Sequence, residues 1–172
     1  MIRLDNFPIR YEELNDLYEH TDQSFCLNRV AVPLDEDTTR GYFFMVRSGF
    51  NDGMLFGVKG IFLDGKLIGK IERTVDETGC AEIDLIIKKE YCGKGYGSEA
   101  LKQFLALPET LMECSSYCAY IDAENKAAER VFEKNGFEAK RKFNADVVTP
   151  QGSTYVLRTV TGTEYIRGGT SE

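Results

Sequence analysis

Apolar residues recur along this chain with two periods, and the change from one to the other marks out its elements. Leu14, Leu17 and Tyr18 share one helical face of residues 11–19. Ala100, Leu101, Phe104, Leu105 and Leu107 do the same over residues 95–107, where Pro108 disfavours continuation. A further helix over residues 123–135 carries Ala127, Ala128, Val131 and Phe132 on one side, with Gly136 as its C-terminal glycine. Asp35-Glu36-Asp37-Thr38 is a helix start, because carboxylates offset the partial positive charge there. Residues 42–47 continue that helix and Asn51-Asp52-Gly53 end it, whereas residues 21–33 show no period. Strands are predicted over residues 2–9, 56–62, 67–75, 82–87 and 115–122. Residues 137–148 and 153–160 form a last hairpin around Thr149-Pro150-Gln151-Gly152. Asp64-Gly65 between two apolar runs predicts a tight hairpin. Thr78-Gly79 supplies the next turn. The order predicts an α/β fold over residues 1–160, with one mixed, mostly antiparallel central sheet flanked by helices. Residues 161–172 are polar and glycine-bearing, and a loose tail is expected.

The stretch Glu82-Ile83-Asp84-Leu85-Ile86-Ile87 alternates acidic and apolar side chains and then turns fully apolar, as a buried strand does. Gly93, Gly95 and Gly97 follow, three glycines within five residues. Such a run lets the backbone take φ > 0 and lets another molecule approach the main chain. Ser98 and Glu99 sit where a helix should begin. A helix N-terminus behind a glycine turn offers unpaired N–H groups to a phosphate.

Composition narrows the classes. At 172 residues, 42% hydrophobic and 28% charged, the chain reads as an ordinary globule. No apolar run could span a bilayer and the N-terminus is not a signal peptide, so a cytoplasmic location without membrane attachment is expected. The net charge of −7 disfavours nucleic acid as a partner. It favours a cationic acceptor, such as a polyamine or amino sugar, although the same charge also serves solubility. The cysteines, Cys26, Cys80, Cys92, Cys114 and Cys118, are odd in number and lack a CxxC spacing. With His20 the only histidine, neither a disulfide framework, a metal site nor a Ser-His-Asp hydrolase is suggested.

Two segments carry a family likeness. The run Ile87-Lys88-Lys89-Glu90-Tyr91-Cys92-Gly93-Lys94-Gly95-Tyr96-Gly97 resembles the acetyl-coenzyme A signature of the GNAT N-acetyltransferase superfamily. That signature is Arg or Gln, two residues, Gly, one residue, then Gly or Ala. Gly95 and Gly97 match, and Cys92 stands where Arg or Gln is expected. Downstream, the segment from Asn125 through Lys134-Asn135-Gly136-Phe137 is similar to the family's second motif. The likeness covers roughly residues 56–143 and fades at the ends. It implies acetyl-CoA as co-substrate and a primary amine of a small molecule or peptide as acceptor. It also implies that two central strands splay after the glycine turn, with pantetheine in the gap. On this likeness Leu85, Ile86 and Ile87 line pantetheine. Cys92, Gly93, Lys94, Gly95, Tyr96, Gly97 and Ser98 hold the pyrophosphate, and Asn125 and Phe132 complete the cofactor site. Homodimer formation is left open.

An ammonium acceptor with a pKa of about 10.4 must lose a proton before it attacks. Glu82 and Asp84 are two apart on a strand and share a face. Relatives assign the base to an acid at either position, and Asp84 is preferred here. Bare alternation on an exposed strand face would explain both acids without function, and a helix cap would explain Asn125. Phe132 replaces a tyrosine that protonates the departing thiolate in many relatives, and Ala128 replaces a serine used in others. The acid is therefore unassigned, with Tyr91, Tyr96, Tyr120 and Tyr155 as the phenols to consider. Ser98 falls where a dinucleotide-binding GxGxxG loop needs its third glycine, so that reading fails. The remaining rival is a catalytically weak acyl-CoA-binding regulatory domain.

Overall fold

The computed structural model describes residues 1–27, 29–108, 114–151 and 154–168. Its strands are β1 (Ile2–Asn6), β2 (Phe50–Asn51), β3 (Met54–Leu63), β4 (Lys66–Val75), β5 (Cys80–Ile87), β6 (Ser116–Asp122), β7 (Glu138–Gln151) and β8 (Thr154–Gly168). Its α-helices are α1 (Tyr11–Glu19), α2 (Glu36–Ser48), α3 (Tyr96–Leu105) and α4 (Lys126–Lys134). The strands form one mixed sheet in the order β1-β3-β4-β5-β6-β8-β7, with β2 paired to β3 beside it. Every pairing is antiparallel except β5–β6.

Local chemistry sets the turns. Asp64 and Gly65 both have positive φ, 50° and 83°, the conformation that a two-residue hairpin of type I′ requires. Asp52 and Gly53 repeat it between β2 and β3, at 50° and 82°. The expectation that Asn51-Asp52-Gly53 ends α2 is therefore corrected. Gly49 ends it two residues earlier, with φ 72° and its N–H on the Met45 carbonyl at 2.9 Å. Asp35 caps the other end, accepting from the Thr38 N–H at 2.6 Å.

The two faces of the sheet bury different cores. On one, Ile71, Ile83, Tyr117, Ala119, Ile121 and Tyr165 meet Leu101 and Phe104 of α3 and Phe132 of α4. On the other, Leu14 and Leu17 of α1 and Tyr42 of α2 meet Leu67 and Ile86. Each large apolar side chain so buried contributes about 1.5–3 kcal/mol of transfer free energy.

The C-terminal third departs most from expectation. Residues 161–168 are not a loose tail: β8 runs through them, pairing Thr163 with Ile121 and Tyr165 with Ala119. Their polar groups are buried with partners. Glu164 accepts from Arg141 Nε, and Thr163 Oγ1 accepts from Lys142 Nζ at 2.6 Å. Residues 169–172 lie outside the described residues. The expected turn at 149–152 also shifts. Thr149 and Pro150 remain in β7, paired with Val156 and Tyr155, and Gly152 lies outside the described residues. Pro150 is tolerated because β7 is the edge strand.

Candidate active site

β5 and β6 pair over three positions only: Cys80 with Ser116, Ala81 with Tyr117, and Glu82 with Cys118. β5 then continues to Ile87 against β4 alone, and β6 to Asp122 against β8. A wedge opens between them. Leu85 and Ile87 point to the α3 side. A Cβ placed on Gly97 would stand 3.6 Å from Leu85 and 3.8 Å from Ile87 and Val131. Ile86 points the other way, into the core of α1 and α2.

At the end of β5 a short 3-10 turn (Lys89–Tyr91) leads into the glycines. Gly93 and Gly95 have φ of 75° and 85°, and a Cβ on either would meet nothing within 4 Å. Gly95 caps α3 with no side-chain acceptor, and the Glu99 N–H bonds its carbonyl at 3.1 Å. The first turn of α3 thus presents N–H groups that the helix itself does not use, with the positive end of the helix dipole behind them. Lys94 Nζ lies 5.6 Å from the Tyr91 ring centre, and the Tyr91 and Tyr96 rings are 6.5 Å apart. The Cys92 thiol donates to the carbonyls of Ile87 and Lys88, each at 3.7 Å, and so ties the turn to the strand.

Three side chains expected at the cofactor have other partners. Asn135 Nδ2 donates to Ser98 Oγ at 3.1 Å, joining α3 to α4. Asn125 caps α4, its Oδ1 accepting from the Ala128 N–H at 3.1 Å. This cap is why α4 begins at Lys126 and not at 123. Phe132 is buried edge-on against Phe137, with ring centres 5.0 Å apart.

Glu82 and Asp84 stand on the α1 and α2 face. Across the β4–β5 ladder Glu82 opposes Thr74, and Asp84 opposes Glu72. Water reaches both carboxylates, but protein surrounds them at longer range. Lost hydration and the Glu72 charge push the Asp84 carboxyl above its ordinary pKa, and Lys70 only partly offsets them. Glu82 is raised too, by lost hydration and then by Asp84.

Residues 3–138 match the acetyltransferase (GNAT) domain family. The chain belongs to the GNAT acetyltransferases. Its fold is shared by a GNAT-family acetyltransferase from Bacillus anthracis, at 20% identity over 98% of this chain and 95% of that one, with a TM-score of 0.71. A Salmonella typhimurium acetyl transferase that modifies the N-terminal serine of the 50S ribosomal subunit protein L7/L12 is 13% identical over 97% and 94%, with a TM-score of 0.74. RimL, a ribosomal L7/L12 alpha-N-protein acetyltransferase solved in complex with coenzyme A, is 14% identical over 97% and 93%, with a TM-score of 0.72. At these identities the likeness is one of fold. No curated protein matches the chain. Among the described residues no helix is long and apolar enough to cross a membrane, and no group of three or more metal-ligating side chains occurs.

In this GNAT domain the sequence reading missed a charged network beside Asp84. Lys70 is only 2% exposed, and its Nζ lies 2.5 Å from Glu72 Oε1. Tyr42 donates to the other Glu72 oxygen at 3.0 Å. The Lys70 ammonium also faces the Tyr42 and Tyr18 rings, at 4.9 and 5.5 Å. Burial alone would depress the Lys70 pKa, but the Glu72 carboxylate, joined by Tyr42, Tyr18 and Asp84, more than offsets it, and the group stands well above its ordinary value. The signal lay in Leu67-Ile68-Gly69-Lys70-Ile71: a lysine inside so apolar a strand needs a partner. Of the four phenols considered as acids, Tyr120 lies two residues beyond Cys118, on the face of Glu82 and across the wedge from β5. Burial, then the charges of Cys118, Glu164 and Glu82, raise its pKa. Tyr91 and Tyr96 flank the glycine turn, while Tyr155 is 68% exposed on the distal hairpin.

Proposed function

We propose that this GNAT domain is an acetyl-CoA-dependent N-acetyltransferase acting on a primary amine of a small molecule or peptide. One observation carries the reading: the β5–β6 wedge has a glycine turn at its end on one side and two carboxylates of raised pKa on the other. The chain's groups fit the cofactor. Gly93 and Gly95 leave open space where side chains would stand, and the uncapped start of α3 offers N–H donors to a pyrophosphate. Lys94 adds a cation there. Residues Leu85 to Ile87 offer main-chain groups on the unpaired edge of β5 for the pantetheine arm.

Acetyl-CoA supplies the acetyl group as a thioester. Asp84, with Glu82 as the alternative, takes the proton that the acceptor ammonium must lose, directly or through a water. A main-chain N–H in the 85–87 segment of β5 stabilises charge on the acetyl oxygen. Tyr120 is the phenol best situated to return a proton to the departing sulfur, whose ordinary pKa near 8.5 makes this help modest. Glu82 and Asp84 give the acceptor side an anionic floor, which favours a cationic amine. The Salmonella relative named above acts on a protein N-terminus, and that acceptor class remains within the proposal.

The test is release of coenzyme A thiol with a panel of amino sugars, polyamines, amino acids and peptides. Turnover with at least one amine is expected. Cofactor binding without turnover across the panel would favour the regulatory-domain reading, to which the buried, non-donating Phe132 already lends weight.

A further inference from the structure

Both oxygens of Glu72 are engaged within the protein. One oxygen lies 2.5 Å from Lys70 Nζ and the other accepts from Tyr42 OH at 3.0 Å. Lys70 is held in turn between the Tyr18 and Tyr42 rings. An ammonium and a phenol on one carboxylate fix its place and direction. Directly across the ladder stands Asp84. Opposed residues of an antiparallel pair have Cβ atoms about 4.5–5.5 Å apart, a distance at which like charges disfavour one another.

We infer that Glu72, clamped by Lys70 and Tyr42, is a positioning residue: its negative charge across the β4–β5 ladder, added to lost hydration, moves the proton uptake of Asp84 to higher pH. This rests on the proposed role of Asp84 as base. Glu72 itself touches neither acceptor nor cofactor in this account. The Glu72 charge adds to lost hydration in raising the basicity of Asp84, and Lys70 offsets part of that rise.

The other ionisable groups around Asp84 do not supply that charge. Tyr18 of α1 and Tyr42 of α2 are kept neutral by burial. The Cys26 thiol, on the loop after α1, is pushed up to about 11 by burial and then by Asp84 itself. Across the wedge, burial raises Cys118 and Tyr120. Glu82, on the same strand, is raised and open to water, so its charge is the weaker and better-screened influence.

Carbon-13 NMR titration of the carboxyl groups tests this in the free protein, independently of turnover. Glu72→Gln should move the Asp84 titration to lower pH, and Glu72→Asp should restore it most of the way. In the pH profile of kcat/KM the same Glu72→Gln change should move the acidic limb to lower pH and reduce the plateau severalfold, a pair of effects that simple loosening of the strand would not produce. An unmoved Asp84 titration in folded Glu72→Gln would overturn the inference. Should that variant not fold, the double change Lys70→Met with Glu72→Gln, which leaves neither partner as an unpaired charge, should still move the Asp84 titration to lower pH, and an unmoved titration there overturns the inference. Asp84→Asn separates this result from the reading beneath it. Full activity there removes the base assignment, whereas loss of activity with an unmoved Asp84 titration in Glu72→Gln removes only the role of Glu72.

Discussion

Ile71, Ile83, Tyr117 and Ala119 meet α3 and α4 on one face of the central strands; the strand positions one residue along carry Lys70, Glu72, Glu82 and Asp84 on the other. The first face is continuous apolar packing. The second holds two like charges opposite one another, with a buried lysine to reconcile them. The two carboxylates therefore share one strand parity, which Ile86 further along β5 gives to the second apolar core. The α3 side fixes the position of the glycine turn, because Gly97 sits against Leu85, Ile87 and Val131 of that core. The α1 and α2 side keeps polar groups that an optimised core would discard. The wedge between β5 and β6 is where the two sides become accessible to one molecule.

Substitutions on the two faces should break this division in different currencies. The largest expected effect is on rate. Asp84→Asn keeps the shape and removes the basicity, so turnover should fall by roughly 10²–10⁴, the usual share of a general base, with acetyl-CoA affinity little changed. Glu82→Gln should be milder, and the reverse order would move the base to Glu82. The same Asp84→Asn change should raise the thermal midpoint at neutral pH. The folded-state pKa of Asp84 is raised, so the folded state binds more protons than the unfolded one between the two pKa values. Stability contributed by this group accordingly falls as pH rises through that window, and removing the carboxylate removes the penalty above it.

Next in size is Leu101→Ala on the apolar face. Leu101 is fully buried, and its truncation should cost about 2–5 kcal/mol of stability in denaturant unfolding. The acidic limb of the pH profile should stay in place; a moved limb would mean that the two faces are not separable. The smallest effect is at the seam. Asn125→Ala removes the cap bond to Ala128 and should cost about 1 kcal/mol of stability without altering acetyl-CoA affinity. A tenfold fall in that affinity would assign Asn125 to the cofactor.

Much of this architecture was readable from pattern alone. Asp64-Gly65 fixed a hairpin, α1 carried a clear helical stripe over Tyr11–Glu19, and Gly93, Gly95 and Gly97 marked the turn before α3. The misses share one cause, since strand partners are not written in a strand's own period. Residues 161–168 look like a tail because their alternation is polar, and only β6 and β7 give Thr163 and Glu164 their buried partners. Lys70 and Glu72 were visible as strand residues, but their apposition to Asp84 depends on the β4–β5 register. Gly49 and Gly53 both take positive φ, and only the β2–β3 pairing gives Gly53 to a hairpin and leaves Gly49 to end α2.

The account stands on acetyl-CoA occupying the wedge between β5 and β6. Isothermal titration of the purified chain with acetyl-CoA is its most direct test. It predicts saturable binding in the micromolar range, about −8 kcal/mol. No detectable binding would contradict the proposed function and, with it, the role given to the carboxylates on the opposite face.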